Sequence, residues 1–87
     1  MDNVIVTPIV HLNGTSKDAL LEQREDVYQA LRTVECALCQ MAPNGRDYYP
    51  EPGRMEKAQA QHKRRMGMVG MLLEEIEAEA CAIGKEE

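Results

Sequence analysis

Arg46, Tyr48, Tyr49 and Arg54 crowd into one short stretch, "APNGRDYYPEPGR", Ala42–Arg54. A guanidinium is planar, permanently charged and able to grip a phosphate through two parallel hydrogen bonds. A tyrosine ring offers a face on which a nucleobase stacks, about 1–3 kcal/mol per base in single-strand binders. Asn44 and Asp47 add groups able to read ring edges or ribose hydroxyls. The helix that follows contributes free N–H groups and the positive end of its dipole. Further along it, "HKRR" supplies His62, Arg64 and Arg65 as additional contacts. Together these residue types suit the capture of a small phosphorylated ligand. The alternative stays open: both tyrosines close the end of a helical core, Arg46 and Asp47 form a solvated pair, and the charge run is a solvated face.

Other chemistry finds less support. "CALC" places Cys36 and Cys39 three apart, with His62 across a hairpin and His11 or Cys81 as further ligands. Structural zinc pairs sit on knuckles or turns, so these cysteines read better as small buried packing residues. "HLNGTS", His11–Ser16, reads as a turn followed by a helix cap. The chain carries no G-x-S-x-G, no H-E-x-x-H and no phosphate loop. Neither histidine has a convincing nucleophile beside it. No enzyme, no metal and no cofactor are expected.

The elements that must hold these residues are legible. "NVIVTPIVHLNG" is rich in β-branched residues and ends in a turn signal, giving an extended segment over 1–14 that packs on the helices or on a twofold mate. Thr15, with Asp18 three residues on, opens the first helix, Ser16 being the rival cap. From there Leu20, Arg24, Val27, Leu31, Val34, Leu38 and Met41 alternate steps of four and three, a coiled-coil seam with one charged member. Pro43 stops it. Met55, His62, Met66, Val69, Leu73, Ile76, Ala80 and Ile83 form a second seam, ended by Gly84. Gly67 and Gly70 suggest a tight helix crossing. Arg24 should pair with Glu74 or Glu77. The expected fold is all-α: an antiparallel two-helix hairpin over 15–84, with helices at about 16–42 and 54–83 and a loop over 43–53.

Composition agrees with a helix–helix interface: six methionines, no Phe, no Trp and three tyrosines among 87 residues. A chain of this size is marginal alone and usually gains burial by oligomerising. The net charge of −5 argues against nucleic acid as a partner. The charge is polarised, basic from Arg46 to Arg65 and acidic after Met66. "MDNVIVTPIV" lacks a basic leader, no stretch is long enough to span a bilayer, and three cysteines make an odd count. A cytoplasmic setting without membrane contact is expected.

"VHLNGTS" before a helix, then "PNGRDYYP" and a basic second helix, resembles a group of small uncharacterised proteins encoded in bacteriophage genomes. The resemblance covers roughly Val10 to Glu79. By analogy of class, it implies an anti-defence sponge in the infected bacterial cell. Such a sponge binds and sequesters a nucleotide-type immune signal, cyclic nucleotide or cyclic ADP-ribose, of Thoeris or CBASS systems without cleaving it. The alternative function is a protein–protein interaction module or inhibitor built on a helical-hairpin oligomer, in which Met66, Met68 or Met71 matters more than the loop.

Overall fold

The computed structural model describes residues 5–86; the start of the extended segment, 1–4, and Glu87 lie outside the described residues. Two helices, α1 (Lys17–Gln40) and α2 (Arg54–Gly84), are joined by a loop containing one 3-10 turn, Gly45–Asp47. No strand occurs among the described residues. The fold is all-α.

Each helix begins and ends for local reasons. Ser16, not Thr15, caps α1: its Oγ accepts from the Ala19 N–H at 3.2 Å. The capping side chain must belong to the residue just before the first helical one, and that is Ser16. Asp18 in the first turn complements the helix dipole. At the other end the Met41 N–H donates to the Leu38 carbonyl at 2.9 Å, two residues before Pro43. Gly53 precedes α2 with φ of 83°, a backbone that side chains resist. Gly84 is the last residue of α2 and does not take up that conformation; the Lys85 N–H closes the helix onto the Ala82 carbonyl at 3.3 Å.

The helices pack antiparallel, in a register read from two contacts. Lys17 Nζ donates to the Glu86 carbonyl at 2.6 Å, and Arg24 Nη2 lies 3.5 Å from Glu79 Oε1. Seven residues forward on α1 thus match seven back on α2. The partner of Arg24 is therefore Glu79, not Glu74 or Glu77. Extended along α1, the same register sets Gln40 level with Lys63, so 54–62 of α2 project past the end of α1. That overhang is about 14 Å at 1.5 Å per residue. The loop is long because it must climb this distance.

The core is thin. Leu20, Val69, Leu73 and Ile83 are the buried side chains among the described residues. Of the α1 seam, Leu20 is buried and Arg24, Leu31 and Leu38 are half-buried, but Val27, Val34 and Met41 are exposed at 46%, 46% and 59%. One helix covers one edge of a stripe that is wider than itself. At the terminal end Ile83 is fully enclosed. A single flanking helix cannot enclose a side chain, so the segment before α1 closes the remaining side. Its Val10 N–H donates to Glu86 Oε2 at 2.9 Å.

No tight crossing forms at Gly67 and Gly70 within this chain: a Cβ added at either would meet nothing within 4 Å. Glycine in a helix interior costs about 1 kcal/mol relative to alanine. Gly67→Ala should therefore raise the melting temperature by roughly 4–8 °C, measured by circular dichroism. A lower melting temperature would mean that another chain packs on this glycine.

Candidate functional site

The long loop is folded on itself. Asn44 Oδ1 accepts the Arg46 N–H at 2.9 Å and so caps the 3-10 turn. The Tyr48 and Tyr49 N–H groups both reach the Gly45 carbonyl, at 3.1 and 3.0 Å. The Arg54 N–H donates to the Glu51 carbonyl at 3.2 Å, and the two side chains form an ion pair at the surface. Asn44 and Arg54 thus have structural partners inside the loop.

The two adjacent tyrosines have different surroundings. Tyr48 is half-buried and shares a shallow groove of about 310 Å³ with Glu51, Arg54, Lys57, Ala58 and Gln61. It packs along the overhanging first turns of α2, where α1 offers no cover. Tyr49 points away and is 79% exposed. Arg46 and Asp47 are exposed, and neither forms an ion pair among the described residues. The groups free to meet a ligand are Arg46, Asp47 and Tyr49; Lys57, which sequence reasoning missed because it stands outside the motif, lines the Tyr48 groove instead.

His62, Arg64 and Arg65 form a separate cluster. They stand eight to eleven residues beyond Arg54 on α2, roughly 12–16 Å along the axis. His62 and Arg65 are half-buried; Arg64 is exposed, with its guanidinium 3.8 Å from the Met68 sulfur. Within one chain the loop cluster and this one are not joined. A second shallow depression at the loop, of about 250 Å³, lies beside Asp47, Tyr48 and Pro50.

A larger concavity lies at the other end. An open groove of about 630 Å³ runs between the helices, floored by Leu21, Tyr28, Ile76, Ala80 and Cys81, with Asp18, Glu22, Glu25 and Glu77 at its margin. Leu21 and Tyr28, seven apart, were its legible signal: a second apolar stripe beside the first. Cys36, Cys39 and Cys81 are exposed free thiols, so the Cys36 and Cys39 pair is not the buried packing expected of it. Helical spacing turns the C-x-x-C pair outward, because the face toward α2 is already taken by Leu31 and Leu38. No cluster of three metal-ligating side chains occurs among the described residues. No described helix is long and apolar enough to cross a membrane.

On the other side of the helix seam, Val27 and Ile76 line a shallow groove with Gln23, Arg24 and Glu79. Steps of seven carry the Val27 face to Val34 and Met41, and steps of three and four carry the Glu79 face back to Glu75, Leu72 and Met68. In the register fixed by Arg24 and Glu79, Val34 stands level with Val69, between Met68 and Leu72. Leu72 is 46% and Met68 56% exposed. Val27, Val34 and Met41 of α1 thus form a row of exposed apolar side chains beside Leu72 and Met68 of α2, bounded by Glu75 and Glu79. The segment before α1 adds Val6, Ile9 and Leu12 at 81%, 77% and 98% exposure.

Neither protein-family models, nor curated proteins, nor solved structures give a match to this chain.

Proposed function

We propose that this chain is a non-catalytic association module: a helical hairpin that completes its core by packing against further helices of a partner. One observation carries the reading. The seam of α1 is half covered, leaving Val27, Val34 and Met41 exposed in a row beside Leu72 and Met68. The overall dimensions agree, since the radius of gyration is 18.3 Å and the extents are 62 × 27 × 17 Å. A compact chain of this length would have a radius near 12 Å. The chain exposes 6899 Å², against roughly 5,200 Å² for a compact monomer of its mass. The difference, on the order of 1,700 Å², exceeds the roughly 800 Å² that each partner gives to a standard interface. Sedimentation velocity over a wide range of concentrations tests this on the full chain. Concentration-dependent assembly, or a stoichiometric complex with a partner protein, is the expected result. A chain that stays single and binds no protein would refute it.

Arg46 and Tyr49 favour a second reading, capture of a nucleotide-type ligand as a phage anti-defence sponge. Both are exposed on an ordered turn that also carries Asp47. A guanidinium and a ring held together in solvent suit a phosphate and a base better than they suit packing. Cyclic oligonucleotides or cyclic ADP-ribose isomers at 1,000 times their dissociation constant should add roughly 4 kcal/mol to stability. Arg46→Ala should abolish the resulting thermal shift without loss of helicity. No shift with any such ligand would leave the association module alone.

A further inference from the structure

Building on the association reading, we propose that the occupant of the Val27–Val34–Leu72 face is a second copy of this chain, lying antiparallel across a twofold axis. Charge singles out that occupant. The hairpin folds the acidic half of α1 (Asp18, Glu22, Glu25, Asp26) beside the acidic half of α2 (Glu74, Glu75, Glu77, Glu79). Arg54, Lys57, Lys63, Arg64 and Arg65 collect at the loop end. The molecule is a rod 62 Å long with a negative end and a positive end. Two such rods side by side repel when parallel and attract when antiparallel.

The apolar residues fix the register. A twofold axis lying in the interface and crossing the rod sets α1 against α1 and α2 against α2, each pair antiparallel. On α1 the exposed row is centred on Val34, so Val34 meets its own copy and Val27 meets the partner's Met41. On α2 the row is centred between Met68 and Leu72, so Met68 meets the partner's Leu72. The two centres fall within one residue of each other, because Val34 is level with Val69 in the hairpin itself. The same register sets Arg65 opposite the partner's Glu75, both half-buried and neither in an ion pair among the described residues.

The pairing also joins the two ends. Arg54 of one copy comes level with the partner's Glu86, so the "NGRDYYP" turn of one chain stands beside the "HLNGTS" turn of the other. Exposed Tyr49 then meets the end at which Val6, Ile9 and Leu12 are exposed. Any ligand held by Arg46 and Tyr49 would be walled on one side by the partner chain.

Charge reversal tests the orientation on the full chain by analytical ultracentrifugation. Arg65→Glu places like charges opposite each other twice per dimer, and the dissociation constant should rise about tenfold or more. Arg65→Glu with Glu75→Arg restores the opposition and should return the constant to within about threefold of the unmodified chain. In a parallel pair the axis runs along the rod, α1 faces the partner's α2, and Arg65 comes level with the partner's Leu38 instead of Glu75, so the Glu75→Arg change would not restore association. An oligomer indifferent to the single change, or not rescued by the double one, overturns the antiparallel pairing and leaves the association reading standing. A chain that remains monomeric at every concentration overturns both.

Discussion

Replacing Ile83 by alanine should lower the unfolding free energy by about 2–5 kcal/mol, the range for truncating a buried isoleucine. Domains of this size hold roughly 4–13 kcal/mol in all, so a single side chain accounts for a large share. The expected loss exceeds that at Val69 or Leu73 because Ile83 alone is fully enclosed, whereas those two keep 9% and 8% of their surface. Ile83 is where three parts of the chain meet. Level with it in the hairpin register stands Leu20, and across it passes the segment tied to Glu86 through Val10. Lys17, bonded to the Glu86 carbonyl, pins the start of α1 to the same end. Truncation should therefore loosen the extended segment together with the helix ends. Urea unfolding followed by circular dichroism, at one fixed protein concentration, reads the loss. A cost under about 1 kcal/mol would mean that the segment does not close over this end.

Val34→Glu should convert an associating chain into a monomer while leaving the hairpin helical. Within one chain Val34 is half exposed, so a glutamate there costs little; surface changes of this kind usually stay within about 0.5 kcal/mol. At the centre of an interface the same glutamate would be stripped of water against its own symmetry mate. Burying two unpaired like charges is among the most unfavourable changes an interface can suffer. Association should weaken by at least a hundredfold. The readout is the sedimentation coefficient together with the helical signal at 222 nm. Retained assembly with retained helicity would place the interface elsewhere, on the acid-rimmed groove of Leu21 and Tyr28. Gln29→Ala, an exposed and uncharged position on the outer side of α1, serves as the control and should change neither property.

The loop shows how far a local signal reaches. Its proline and glycine content announced a break between two helices, and its two arginines and two tyrosines announced a surface of unusual chemistry. Which tyrosine is free could not be read there. Tyr48 is half-buried because α2 begins well beyond the point where α1 stops, and only the packed register of the two helices creates that overhang. Arg24 makes the same point. Its charge within an apolar seam called for a carboxylate on the facing helix, and Glu74 and Glu77 were the expected partners, whereas the packed helices bring it to Glu79. Choosing among them needed the register, which depends on contacts between residues more than fifty apart.

By itself the sequence determined the helices, the break between them, the polarity of charge and the surplus of apolar residues at helical spacing. These follow from short-range physics: backbone preference, proline's missing N–H and the 3.6-residue period that puts every third or fourth side chain on one face. The tertiary structure decided the register, and with it the split of the α1 seam into a covered edge and an uncovered one. A periodic stripe states how much surface must leave water, not which chain removes it. One helix of the same chain is too narrow to cover Leu31, Leu38, Val34 and Met41 together, and that geometric limit leaves an interface open on an otherwise finished hairpin.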